Sequence, residues 1–250
     1  MAFRREATAR AELSEDELTE AMTGIGMSFA AHADHGANIE DTLLAASEQG
    51  MLDNDLRTLA VLVTWLGVHA RLINADRLVR LVEAHDAPRV CAFWAAFASW
   101  QKKDRRFARL IAAHEGERVD LLSVGTDFQV KRHGEDPRFE GSALRVPANT
   151  LRDRASDVLD PEELARRHRA YRQRLVMGPS YRADMWAVLD ENPSLSAAEL
   201  ARAAHGSFAT AWQVKRDWHL VASARAKPLA SRGALLSQVR VTPKRRWRAP

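Results

Sequence analysis

The chain has little cysteine and no long apolar segment. Its 250 residues include 1 cysteine, Cys91, so neither an internal disulfide nor a zinc site built from cysteines can form. No apolar run approaches the ~20 residues that span a bilayer, and the N-terminal sequence is too charged for a secretory signal peptide. These absences predict a protein of the cytoplasm with no membrane partner.

The common catalytic motifs are also absent. The sequence contains no GxGxxG, GxxxxGK[ST], GxSxG or HExxH, which are the usual signatures of nucleotide binding, serine hydrolysis and zinc proteolysis. The nearest approach to a metal site is the set His32, His35 and Asp41, but on a helix His32 and Asp41 would not converge. We therefore predict no catalytic residue, no metal, no cofactor, and a protein that is not an enzyme.

Helical patterns are abundant, and 46% hydrophobic residues suffice to bury a proper core. A capping box at 14–17 predicts a helix to about Ala31, and apolar spacing predicts another over 55–68. The helix predicted over 89–100 is apolar on nearly every side, so we expect it at the centre. Residues 1–117 are thus predicted to form an acidic helical interaction domain.

The pattern changes after residue 117. Short runs compatible with strands occur at 119–124, 128–131 and 143–146, separated by turn clusters. Residues 118–150 are therefore predicted to be either a connector or a small β element, and a β wing stays open as a form of the latter.

Residues 151–222 are predicted to form a second helical region. Asp160 and Pro161 predict a helix from there to about Val176, whose other faces carry arginines that either meet solvent or contact phosphate or an acidic partner. The residues predicted to face inward are Leu164, His168, Tyr171 and Leu175. Ser180 predicts the next helix. The predicted fold class is mainly α: a helical N-terminal domain, a short possible β connector and a C-terminal trihelical helix-turn-helix domain.

A second capping box opens the most informative stretch of the chain. Ser196 and Glu199 predict a short helix to about Ala204, which 205–206 break, after which Ser207 can cap another helix. On that last helix the residues predicted to face inward are Ala211, Val214 and Trp218. Two short helices joined by a turn around a glycine form a helix-turn-helix, whose second helix fits the major groove of DNA.

This stretch resembles the bacterial helix-turn-helix regulators. The resemblance lies in the small Ala201 at the helix crossing and in apolar Leu200, Ala211 and Val214. His205 stands where those regulators usually have glycine, which predicts a wider turn. The resemblance implies DNA contacts from the outer side of the second helix, at Ser207, Phe208, Ala209, Gln213, Lys215 and Arg216.

Charge is distributed unevenly along the chain. Residues 1–50 hold 3 basic and 10 acidic side chains, a net charge of −7, whereas residues 201–250 hold 11 basic side chains and one acid, a net charge of +10. Residues 223–250 are predicted to be a basic flexible arm that contacts DNA phosphates. Its densest group, which surrounds Trp247, is Lys244, Arg245, Arg246 and Arg248.

Together these features predict a bacterial DNA-binding transcriptional regulator whose partners are double-stranded DNA and either a second copy or a co-encoded protein. Its organisation resembles the autoregulating antitoxins and repressors of bacterial operons. A ligand-responsive repressor would need a pocket, for which Trp65, Trp94 and Trp100 are candidates, although we expect them to pack in the core. The alternative from another class is a non-enzymatic adaptor or assembly protein whose basic tail contacts RNA or an acidic subunit.

Overall fold

A computed structural model describes residues 12–226. The fold is mainly α, as predicted. We call residues 12–177 the helical body and residues 181–226 the three-helix unit. The first helices of the body are α1 (Glu15–Gly24), α2 (Ile39–Leu52), α3 (Leu56–His69), α4 (Ala75–Glu83) and α5 (Pro88–Trp100), followed by a 3-10 helix at Arg105–Ala113. No helix in the described part of the chain is long and apolar enough to cross a membrane.

Aromatic residues fill the centre of the helical body. The indole N–H of Trp65 donates to the carbonyl of Ile25 at 2.8 Å, and that of Trp94 donates to Ser47 Oγ at 3.0 Å. Trp94 also packs edge-on against Phe97. Both tryptophans are fully buried, so the prediction that they pack in the core is confirmed for them. Trp100 is half-buried and packs against the core beside Phe97 and Phe139.

The segment after residue 117 packs on this body. Strand β1 (Val119–Asp120) pairs in parallel with β2 (Leu144–Arg145). The strand predicted over 128–131 is wrong, because these residues lie in α6 (Thr126–His133). Gly125 and Gly134, both at positive φ, flank that helix, and three basic residues in its last turn are favourable at the negative end of the helix dipole.

The helix predicted from Asp160 to Val176 is two helices, α7 (Pro161–Arg167) and α8 (Arg169–Met177). They divide at His168, whose Nδ1 accepts the N–H of Tyr171 at 3.2 Å and whose Nε2 donates to the carbonyl of Ala37 at 3.0 Å. The backbone of His168 is extended, with φ −106° and ψ 111°, so the helical spacing of α7 does not continue into α8. As a result Leu175, predicted to face inward, is 40% exposed, and Arg174 takes the inward position.

The three-helix unit consists of α9 (Tyr181–Glu191), α10 (Ala197–Ala203) and α11 (Phe208–Ala226). All three helices contact one another and enclose a small core of their own. The buried residues of this core are Met185, Leu189, Leu200, Ala201, Ala204, Ala211 and Val214. Leu200, Ala201, Ala211 and Val214 thus pack together, as the helix-turn-helix pattern predicts.

A candidate nucleic-acid interface

Helix α10 begins where the sequence predicts. The Ser196 N–H donates to Glu199 Oε2 at 2.8 Å, and the Glu199 N–H donates back to Ser196 Oγ at 3.2 Å. This reciprocal capping box satisfies two amides at the start of the helix. The hydrogen bonds from Ser196 also lower the pKa of Glu199.

The turn between α10 and α11 is closed tightly. The N–H of Gly206 donates to the carbonyl of Ala201 at 2.9 Å, and the N–H of His205 donates to that of Arg202 at 3.1 Å. This pair of bonds is the Schellman arrangement, which requires a left-handed residue directly after the helix. His205 adopts that conformation, with a φ of 52°. The prediction of a wider turn is therefore wrong, because His205 itself supplies the conformation usual for glycine.

Gly206 allows the turn to pack closely on α9. A Cβ atom at this position would stand 2.3 Å from Met185 Cε and 3.4 Å from Tyr181 Cβ. Met185 is fully buried, so its side chain has little room to give way. The glycine, one residue after the usual position, thus serves the contact between helices rather than the backbone turn.

Helix α11 has an inner and an outer face. Ser207 caps it by accepting the N–H of Thr210 at 3.1 Å, and Ala211 and Val214 are fully buried. The outer face near its start is exposed, including Phe208 at 59% and Trp212 at 55%. We call this surface the recognition face; it consists of Phe208, Ala209, Trp212, Gln213 and Arg216.

Trp212 is the member of the recognition face that the sequence interpretation missed. It lies four residues after Phe208, so helical spacing alone could have placed it on the same side. The guanidinium of Arg216 stands 5.7 Å from the centroid of its ring, within the range of a cation–π contact.

The remaining predicted contact residues are placed differently. Ser207 is used as the helix cap. Lys215 is half-buried and its ammonium donates to the carbonyl of Leu195, so it holds the loop before α10. Arg216 is exposed, although it pairs with Asp217 at 3.0 Å. The other four predicted contacts, Lys244, Arg245, Arg246 and Arg248, lie outside the described residues.

Within residues 181–224 the charges are nearly balanced, with four basic and five acidic side chains. The recognition face nevertheless contains one arginine and no acid. The excess of positive charge follows the unit in sequence, since residues 227–250 contain seven Lys or Arg residues and no Asp or Glu. Any strong attraction to a polyanion would therefore depend on those last residues.

A buried ion cluster joins the three-helix unit to the helical body. Arg174 of α8 donates to Asp184 of α9 at 2.7 Å and to Glu40 of α2 at 2.6 Å. Burial disfavours the charged form of Glu40, but the charge and hydrogen bonds of Arg174 outweigh it and lower the pKa of Glu40. Burial dominates at Asp184 and raises its pKa. The sequence pattern predicts Arg174 among the arginines on the outer faces of its helix, so it does not predict a role for Arg174 at this junction.

The turn of the three-helix unit also faces the body. His205 Nε2 lies 3.8 Å from Asp41 Oδ2, and Asp41 is paired with Arg77 at 2.5 Å. Burial and the nearby charge of Arg77 lower the pKa of His205, against the opposing effect of Asp41. A cleft of about 300 Å³ opens beside this contact, between the loop before α2, helix α8 and the three-helix unit.

The weak metal-like set of the sequence does not converge. His32 and His35 are exposed, while Asp41 is engaged with Arg77. Within residues 12–226 no group of three or more His, Cys, Asp or Glu side chains is arranged to hold a metal ion.

Comparison of the chain with models of protein families, with curated proteins and with solved structures finds no match.

Proposed function

We propose that this protein is a bacterial DNA-binding transcriptional regulator that reads duplex DNA with the start of α11. The observation that carries the proposal is the recognition face. It is exposed on one side of α11 while the opposite side packs into a separate small core. A helix held in this way, with its outer side open, has the form that enters a major groove.

The polar residues of the recognition face, and the basic residues that follow the three-helix unit in sequence, can contact the bases and phosphates of DNA. Gln213 can donate to and accept from adenine, and Arg216 can contact guanine or phosphate. The seven basic residues of 227–250 supply phosphate contacts that are independent of sequence. Cytoplasmic location is part of the same proposal.

The helical body would supply partner binding. One helix-turn-helix reads few base pairs, so useful affinity needs two copies spaced about one turn of DNA apart. We propose that the body either pairs with a second copy or covers a co-encoded protein, as an antitoxin would. The buried contacts of Arg174 hold the three-helix unit to that body.

A second candidate, a non-enzymatic adaptor, is favoured by one observation. Phe208 and Trp212 give the recognition face a large apolar part, and charges in the three-helix unit nearly balance. Such a face also fits a protein surface, and the basic residues of 227–250 would then contact RNA or an acidic subunit.

Fluorescence anisotropy separates the two candidates. The full chain is titrated with labelled duplexes of its own upstream region and of random sequence, from 50 to 200 mM salt. We expect tight binding at low salt that falls by orders of magnitude as salt rises. Ending the chain at Ala226 should weaken binding to all duplexes and flatten the salt slope.

A separate variant tests the part of binding that depends on DNA sequence. Gln213→Ala should cost about 1–3 kcal/mol on the upstream site and little on random duplex. Gln129→Ala, at an exposed position of α6, is the matched control and should bind as the parent chain does. Absence of binding to every duplex at low salt would reject the regulator and leave the adaptor.

A further inference from the structure

The first outward turn of α11 is apolar. Phe208, Ala209 and Trp212 lie together on the recognition face, and the two rings are more than half exposed. Neither ring belongs to the core of the three-helix unit, whose members lie on the opposite side of the helix. A partner that covers this turn must therefore offer apolar surface at these positions.

The surroundings of this turn favour a polyanion as that partner. The nearest charged group on the same face is Arg216, and no acid belongs to the face. The chain that follows Ala226 runs for 24 residues with seven basic side chains and no acid. Duplex DNA combines a polyanionic backbone with a groove as wide as a helix, so charge complementarity selects it.

The major groove exposes few apolar groups. Base edges there present hydrogen-bond donors and acceptors, apart from the methyl group on C5 of thymine. Phe208 and Ala209 side chains cannot pair with the donors and acceptors, and covering those groups without replacing their bonds to water is costly. The methyl group is the one part of the groove that they can cover with a gain.

We propose that Phe208 and Ala209 recognise 5-methylpyrimidines in the major groove, with Gln213 and Arg216 making the polar contacts beside them. The inference rests on the proposed function, because it requires α11 to enter duplex DNA. Two bases carry the required group, thymine and 5-methylcytosine. Trp212, further along the same face, would cover a deoxyribose of the backbone or a neighbouring methyl group.

Base analogues test this proposal without knowledge of the operator. Duplexes are enriched from a random pool by binding to the full chain, then prepared with thymine, with deoxyuridine in place of thymine, or with 5-methylcytosine in place of cytosine. Deoxyuridine removes only the methyl group. Loss of each contacted methyl should weaken binding about fourfold, and a contacted 5-methylcytosine should strengthen it similarly.

The variant Phe208→Ala tests the same contact by changing the protein instead of the DNA. Because Phe208 is exposed, this variant should keep its fold. Its loss of affinity on deoxyuridine duplexes should be smaller than that of the parent chain by about the fourfold effect of one methyl group, because Ala209 keeps its own contact. Phe128→Ala removes a comparably exposed phenylalanine from α6 and should keep the full preference. Circular dichroism checks that both variants fold.

The outcomes separate this inference from the proposed function. A methyl effect from thymine or from 5-methylcytosine that Phe208→Ala reduces and Phe128→Ala leaves unchanged supports the inference and names the source. A methyl effect that Phe208→Ala leaves unchanged overturns it. Tight binding that ignores both methyl groups overturns the inference and leaves DNA binding intact. Failure to bind any duplex at low salt overturns both.

Discussion

The buried cores of the helical body and of the three-helix unit differ in their aromatic content. In the body Trp65, Trp94 and Phe97 are fully buried, and Trp94 packs edge-on against Phe97. In the three-helix unit the core is built of Met, Leu, Val and Ala, while Phe208 and Trp212 face outward. Large rings stabilise most when they are buried. The exposure of Phe208 and Trp212 on α11 therefore leaves an apolar surface that the core of the three-helix unit does not use.

The junction between the two regions differs from both cores, because charged side chains rather than apolar ones lie at its centre. Arg174 is 1% exposed and bridges Glu40 of the body and Asp184 of the unit. A buried ion pair contributes little net stability, but losing one partner leaves a charge without compensation. We therefore expect the junction to restrict the orientation of the unit, because other arrangements would leave one of these charges unpaired.

The largest expected effect comes from removing the shared cation. Arg174→Met fills similar space but leaves Glu40 and Asp184 buried without their partner. We expect a loss of about 3–5 kcal/mol in the free energy of unfolding, measured by urea denaturation. The matched control is Arg172→Met on the same helix, which is exposed and should change stability by less than about 0.5 kcal/mol. Equal effects of both changes would show that the junction does not depend on the ion cluster.

Creating a cavity in either core should show whether the two regions unfold separately. Leu200 and Leu62 are both fully buried, one in the three-helix unit and one in the body. Replacing either leucine with alanine should cost about 2–5 kcal/mol. For Leu200→Ala we expect amide hydrogen exchange to rise in residues 181–226 first, because seven buried residues form that core. Uniform exchange along the chain in this variant would mean that the two regions unfold as one.

Local signals were enough to predict much of this structure. The caps at Ser14, Ser196 and Asp160 begin helices where their side chains predict, because each cap bonds to amides within three residues. The apolar spacing of α11 also predicted its buried side. These features depend on neighbours in sequence.

What could not be predicted depends on distant partners. The burial of Arg174 follows from Glu40, which is 134 residues away in the chain. Residues 128–131 alternate like a strand, but a strand also needs a partner, and only two residue pairs form the ladder of β1 and β2. The left-handed conformation of His205 likewise accompanies the two hydrogen bonds that close the turn after α10, at a position where glycine is the usual residue.

Acid should weaken the helical body through two buried histidines. Burial lowers the pKa of His69 and of His168 to about 4, against an ordinary value of 6.5. Below pH 6.5 the unfolded chain gains protons that the folded chain does not, so stability falls as pH falls towards 4. Each histidine should cost about 2 kcal/mol between neutral pH and pH 5.

Urea denaturation at pH 7, 6 and 5 measures this loss, and His168→Asn is the informative variant. Asparagine can still cap α8 but does not titrate, so the pH dependence should fall by about half. An unchanged pH dependence in the variant would show that His168 does not contribute.

The smallest expected effect concerns the two capping boxes. Each region has one, so the same substitution can be compared between them. Ser14 with Glu17 caps α1 of the body, and Ser196 with Glu199 caps α10 of the three-helix unit. Replacing either serine with alanine removes one acceptor and should cost about 1 kcal/mol. Ser196→Ala should raise amide exchange throughout α10 and α11, since α10 spans only Ala197–Ala203 and supplies the turn that positions α11. Ser14→Ala should raise exchange only in the first turn of α1, which the larger core supports through Leu18. If both changes leave exchange in α11 untouched, the capping box does not position the recognition face, and its orientation depends on the junction alone.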